Sequence, residues 1–495
     1  MLDELPPELL DQILDHCDQA SLKTLRQCNK HVAHRGTPFL YSHLHMGFFI
    51  SNLHRCKNIC TSPSLAKHVK KITFHPDILP SWTQVDWESH IDFRPPYSES
   101  VGSYGKSIDL SERSLAWAHY GKLRRHGFAA GELNAGWLRY LRLQRSQRDW
   151  REHAEGLMLK EAISSLPMLQ SVVLQLAKPF RGGRINDTPY WKSLAEIIFV
   201  GPDAWTYGSR EDIDLDQWDD IGADEQPYTK FDGGLLGLPV FSMVEAIGYR
   251  ASFSGVRPVQ ELEIDIPTSK SFRQCMGCNY RKVGSTREHD PTNHDMRYNT
   301  IVEAFKPLKK LVLICPHAAD DYLPGDPRGA QAEEVQELLR AASQLRTLEL
   351  EYGDAEKKDY DDWREHFGLT PLFSNPTVIW PNLHDLSLTA SIPSAPFINF
   401  LTVHGSTLKR LEMRDNVSDD WRAVLQAVPK VCKLEYVYLE CLWQFDAGGG
   451  GLLEDEEDDD EGMYICHFDE GTDVDDPVND EVKAFLLRGE GTLEM

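Results

Sequence analysis

FKPLKKLVL (305–313), ASQLRTLEL (342–350), WPNLHDLSL (380–388), GSTLKRLEM (405–413) and VCKLEYVYL (431–439) share one frame, with apolar residues at the fourth, seventh and ninth places. The last two of these alternate with other side chains, as a half-buried strand requires. Helical stripes lie between copies: Glu333 to Ala342 places Val335, Leu338 and Leu339 on one side, and Ser418 to Val428 does the same with Trp421, Val424, Leu425 and Val428. Toward the N-terminus the frame returns as Val259, Leu262, Ile264; Leu166, Leu169, Val172, Leu174; and Val69, Ile72, Phe74, which makes eight copies. Strand then helix, repeated, predicts an α/β solenoid of parallel strands. The same alternation also builds doubly wound sheets, and that alternative stays open at this point.

The positions Leu308, Leu345, Leu383, Leu408 and Leu434 follow one another at 37, 38, 25 and 26 residues. The repeat therefore has no fixed period. The frame resembles that of leucine-rich repeats, whose period is about 20–29 residues, with insertions here between copies. In that family an asparagine follows the strand. Only Asn416 occupies the place, while neighbouring copies carry Pro316, Gly353, Ser391 and Leu442.

At the other end, LPPELLDQIL (5–14), SLKTLRQCNK (21–30) and TPFLYSHL (37–44) outline a small helical unit. Pro6 and Pro7 suit a first helical turn, where amide hydrogens have no intrahelical partner. Leu9, Leu10, Ile13, Leu14 and Cys17 then recur at helical spacing. Leu22, Leu25 and Val32 trace a second stripe, and Pro38 introduces a third apolar cluster, Phe39 to Leu44. A unit this small buries little surface by itself. The stretch resembles the F-box, the module that docks receptors onto the Skp-type adaptor of cullin-RING ubiquitin ligases. The resemblance covers residues 1–46. It implies that Leu5 and Pro6 are the family's opening Leu-Pro, and that Leu9, Leu10, Ile13, Leu14, Leu22 and Leu25 supply apolar faces shared between the module's core and the adaptor. Leu40 and Tyr41 match the closing Leu-Tyr of fungal-type members. The competing reading is that these helices cap the repeats, as solenoid ends require.

The resulting organisation is an F-box at 1–46, a linker and helical region with the first strand at 47–165, irregular repeats at 166–446 and an acidic, largely disordered tail at 447–495. The insertions near 75–115 and 178–250 have no assigned structure. From Glu454 to Glu481 there are 15 acids and no Lys or Arg, so self-repulsion favours a solvated chain.

Charge excludes some functions. The chain has 52 Lys plus Arg against 77 Asp plus Glu, a net −25, which disfavours phosphate backbones and anionic membranes as partners. The N-terminus lacks the basic and apolar segments of a secretory signal, and the 10 cysteines are scattered, so a cytoplasmic or nuclear protein is expected. The strand positions facing away from the core include Glu261, Glu263, Asp265, Glu349, Glu351, Asp385, Glu412 and Glu440, with Lys310, Arg410 and Arg414 as the basic ones. An acidic concave face that attracts a basic protein substrate is the expectation.

Catalytic motifs are missing from the sequence. Gly102 to Ser107 reads GSYGKS, but Ser100 stands where a phosphate-binding loop needs its first glycine. Cys275 and Cys278 with His289 and His294 have donors that zinc accepts, yet the gap between the pairs is short and no apolar helix face separates them. No metal or other cofactor is expected, and the chain reads as a binding protein without an active site. The F-box and repeat resemblances together imply a substrate receptor of an SCF-type ligase, holding the adaptor at one end and a protein substrate on the repeats. The alternative is a repeat scaffold with no ligase connection.

Overall fold

The computed structural model describes residues 5–17, 19–76, 79, 83–89, 130–148, 152–175, 232–265, 291–315, 328–352, 370–374, 379–444, 463–466 and 484–487. Nine parallel strands stand side by side in chain order: β1 (His43–Gly47), β2 (Lys71–His75), β3 (Ser171–Gln175), β4 (Glu261–Asp265), β5 (Lys310–Cys315), β6 (Thr347–Tyr352), β7 (Asp385–Ala390), β8 (Arg410–Ser418) and β9 (Tyr436–Gln444). A tenth, β10 (Met463–Cys466), runs antiparallel to β9. A doubly wound sheet reverses its strand order at a switch point. This sheet never does, so its architecture is solenoid-like.

All eight apolar frames became strands β2 to β9. Their Leu, Ile, Val and Phe positions pair across the sheet, as in Leu262, Leu311, Leu348, Leu386, Leu411 and Val437. One continuous core results. The sequence reading missed β1. Leu44 and Met46 are buried there beside Ile72 and Phe74, so the sheet begins at His43, inside the stretch assigned to the F-box. Just before each strand the chain makes one repeated turn. The Ser42 carbonyl accepts from Lys70 N and Lys71 N, the Lys309 carbonyl from Arg346 N and Thr347 N, and the Lys409 carbonyl from Glu435 N and Tyr436 N. This fixes a row of equivalent residues along the N-terminal edge of the sheet.

The helices are α1 (Pro7–Asp15), α2 (Gln19–Cys28), α3 (Lys30–Tyr41), α4 (Ile50–Cys60), α5 (Pro63–Ala66), α6 (Gln84–Ser89), α7 (Ala130–Arg148), α8 (Glu152–Ser164), α9 (Asp232–Ala251), α10 (Pro291–Phe305), α11 (Arg328–Ala341), α12 (Thr370–Phe373), α13 (Ser394–His404) and α14 (Trp421–Val431). Helix α9 lies within the insertion left unassigned by sequence. It packs between α8 and α10 and buries every residue from Val240 to Gly248. Burial of that whole run explains its lack of amphipathic spacing. Glu245 inside it is held by Lys160 Nζ at 2.9 Å and by both Arg297 Nε and Nη2 at 3.0 and 3.1 Å. Arg250, fully buried, donates to the carbonyls of Ile163, Leu169 and Arg257, and burial lowers its pKa to about 10. No described helix is long and apolar enough to cross a membrane.

Asn416 behaves as its position in the frame suggests. Its side chain accepts from Ala390 N at 3.0 Å and donates to the Leu388 and Arg414 carbonyls at 2.8 and 2.9 Å, joining β7 to β8. The acidic segment is not wholly apart from the sheet. Residues 463–466 pair with β9, and Leu486 enters the core.

Candidate interaction surfaces

Helices α1 to α3 enclose a core separate from that of the sheet: Leu10, Leu14, Leu22, Val32 and Leu40, edged by Leu5, Cys17, Leu25, Phe39 and Tyr41. The second stripe is split at Asn29: Leu22 and Leu25 lie on α2, whereas Val32 joins Phe39 and Leu40 on α3, which the Asn29 side chain caps by accepting from His31 N. Pro38 lies inside α3 rather than at its start. The helix continues past it, with the Thr37 hydroxyl donating to the Ala33 carbonyl. Arg35 Nη1 reaches Asp11 Oδ2 at 2.9 Å and ties α3 to α1.

This packing sorts the residues assigned to adaptor contact. Leu10, Leu14 and Leu22 are sealed in the unit's own core and offer no surface to a partner, because three short helices need every one of them to form a core. Leu5 and Leu25 are half-buried at its rim, and Pro6 is exposed. Leu9 and Ile13 stay 48% and 41% exposed, one turn apart on the outer side of α1.

The second surface is the sheet face opposite the buried leucines. Strand register arranges it in three rows, bordered at the N-terminal edge by the residues that precede the strands. Along the N-terminal edge run Ser42, Lys70, Gln170, Gln260, Lys309, Arg346, His384, Lys409 and Glu435. The first strand row is His43, Lys71, Ser171, Glu261, Lys310, Thr347, Asp385, Arg410 and Tyr436. Two residues deeper come His45, Thr73, Val173, Glu263, Val312, Glu349, Ser387, Glu412 and Tyr438. The deepest row includes Asp265, Ile314, Glu351, Arg414 and Glu440.

Charge therefore changes sign down the strands. The edge holds four Lys/Arg and one acid, and the first row three and two; the next row has no Lys/Arg and three acids, and the deepest has one and three. The acidic face expected from sequence is acidic only in its deeper half. There Asp265 and Glu351 are nearly buried, at 6% and 9% exposure, while Glu263, Glu349 and Glu412 are half-buried. Near β8 and β9 the arginines lie over tyrosines, Arg410 above Tyr436 at 4.4 Å and Arg414 above Tyr438 at 4.8 Å. Asp385 accepts from the Thr347 hydroxyl at 3.0 Å.

His43 and His45 are half-buried; His45 and His75 stack with centroids 5.5 Å apart, and His43 lies 4.3 Å from His45. Their protons follow from the acceptors. The Gln175 carbonyl can only accept, so His75 donates from Nδ1 at 3.2 Å; its Nε2 then accepts from His45 Nδ1 at 3.2 Å. Burial, reinforced by neighbouring imidazoles, lowers the pKa of His75 to about 3 and that of His43 to about 4. These rings stay neutral at physiological pH. Only the alternation of β1, which carries His43 and His45 on one face, could have signalled the stack.

Burial also raises the thiols of Cys56, Cys60 and Cys432 to about 12, which keeps them protonated and unreactive. Cys275, Cys278 and His289 lie outside the described residues, as do the side chain of His294 and the GSYGKS segment. Among the described residues no group of three His, Cys, Asp or Glu side chains is arranged to hold a metal ion. No protein-family model matches the chain, and no curated protein matches it.

Proposed function

We propose that the chain is a substrate-recognition subunit of an SCF-type ubiquitin ligase, with α1 to α3 acting as an F-box and the sheet as irregular leucine-rich repeats. The observation that carries this reading is the Leu9 and Ile13 pair, exposed beside a sealed three-helix core. Apolar side chains at that spacing on one helix suit a helix-to-groove contact with an adaptor. The Asn416 bridge and the eight apolar frames support the repeat assignment. In this reading the chain performs no reaction. It raises the effective concentration of a bound protein near the catalytic subunits, in the cytoplasm or nucleus.

A second reading has one observation in its favour. Tyr41 packs against both cores and α3 passes through Ser42 straight into β1, as a solenoid cap would. Co-purification with a Skp-type adaptor separates the two. Wild type should retain the adaptor, and Leu9→Asp with Ile13→Asp should lose it while melting at the same temperature. A wild-type chain that captures no adaptor leaves the scaffold reading standing.

A further inference from the structure

The N-terminal edge of the sheet is cationic in a chain whose net charge is −25. From β5 to β8 it presents Lys309, Arg346, His384 and Lys409 on four consecutive rungs, with Lys310 and Arg410 directly behind them in the first strand row. Lys309, Lys310, Arg346, His384 and Arg410 are exposed. Among the described residues, Lys309, Lys310 and Arg346 have no carboxylate partner, whereas Lys409 and Arg410 do. Lys309 Nζ donates to the neutral Gln260 side chain at 3.1 Å, and among the described residues Arg346 has no ion pair. Lys409 meets Glu435 at 3.0 Å, and Arg410 reaches Glu412 at 3.5 Å and Asp385 at 3.9 Å.

We propose that this edge is a docking surface for an acidic segment of a partner protein, lying across the strands from β5 to β8. Rungs are about 4.8 Å apart, so four span about 14 Å, the length of four to five residues of extended chain. The width of the strip also selects its occupant. Glu263 and Glu349 lie two residues beyond the first strand row, about 7 Å along the strands, and repel an anion that strays inward. One extended peptide fits within that limit. A double helix is wider and would cover the acidic row as well, besides meeting the field of the whole chain.

The edge uses no residue of α1, so the inference does not depend on the ligase reading. The surface nevertheless faces the side from which α3 enters β1, because Ser42 belongs to the same row. A segment held there lies on the side of the three-helix unit, away from the acidic end of the strands.

The test uses the full chain and a fluorescent peptide of twelve glutamates, read by anisotropy. Wild type should bind it, with affinity falling steeply as salt is raised. Lys309→Glu with Arg346→Glu should weaken binding at least ten-fold, and Lys309→Gln with Arg346→Gln should fall between. Glu263→Gln with Glu349→Gln should bind as well as wild type or better. Should the reversed pair lose the fold, the neutral pair carries the test. Equal binding by wild type and the neutral pair overturns the proposal, as does tighter binding of a twelve-nucleotide single strand than of the peptide. Adaptor capture measured on the same samples should not change with the edge variants, so failure of the ligase reading and failure of this one are told apart.

Discussion

Gly248 of α9 lies against the backbone of Thr300 in α10 so closely that a Cβ at this position would stand 1.7 Å from the Thr300 carbonyl oxygen. Helix interiors ordinarily gain from exchanging glycine for alanine, by about 0.5–1 kcal/mol. Here the backbone contact reverses the sign. Gly248→Ala should destabilise by about 2 kcal/mol or more, since the obstacle is backbone and two helices must separate. Gly156→Ala in α8 is the control, because a Cβ there meets nothing within 4 Å and should stabilise. Urea midpoints of the two variants should move in opposite directions.

Glu245 joins α8, α9 and α10 through Lys160 and Arg297 from a nearly buried position. Glu245→Gln keeps the shape but leaves two cations facing each other without their anion. The expected loss is about 3–5 kcal/mol, the usual cost of breaking a buried ion pair on one side. If Glu245→Gln melts with wild type, the triad contributes nothing to holding the three helices.

The His75 ring should make stability depend on pH. Its pKa in the folded chain is about 3 against an ordinary 6.5, so the unfolded chain takes up its proton first as pH falls. Its contribution is present above about pH 6.5 and is lost on acidification toward pH 3. Between pH 7 and 5.5 this amounts to about 1 kcal/mol for His75 alone. His75→Gln should flatten the dependence of unfolding free energy on pH over that range. An unchanged slope would show that the ring titrates normally.

The two cores should respond separately. Leu14→Ala opens a cavity in the three-helix unit and should cost that unit about 2–5 kcal/mol, exposing residues 5–41 to protease while the sheet resists. Leu9→Asp, at an exposed site on the same helix, should leave the protease pattern unchanged. Cleavage of the sheet at the same rate as the helices would mean that the cores unfold together.

Asn416 satisfies Ala390 N and the Leu388 carbonyl from a fully buried position. Asn416→Ala leaves both without that partner, at an expected cost of about 1–3 kcal/mol. Faster hydrogen exchange at the Ala390 amide should accompany it. Protection equal to wild type would show that another group takes over.

Much of the sheet could be read directly, because a strand's inward residues recur at fixed places and leucine marks them. Strands β2 to β9 coincide with frames such as Leu308, Leu311, Leu313 and Leu408, Leu411, Met413. Strand β1 escaped because Leu44 and Met46 follow immediately on a helix and carry no preceding turn signal. Helix α9 escaped for the opposite reason: its run from Val240 to Gly248, buried throughout, has no polar face to reveal its period. The outward-facing set of α1 was only half legible, since Leu9 and Leu10 are chemically alike and adjacent. Which of them faces outward depends on how α2 and α3 close over α1.

Sequence by itself determined the repeat of strand and helix and the apolar positions of each rung, because both are local patterns imposed by backbone periodicity. It also determined the overall negative charge. What tertiary structure alone decided was the grouping of charges. Lys309 and Glu349 are unremarkable forty residues apart, but parallel pairing puts Lys70, Lys309, Arg346 and Lys409 on one edge and Glu263, Glu349 and Glu412 three residues deeper. Register, a long-range property, turns scattered charges into a surface with a cationic rim and an acidic floor.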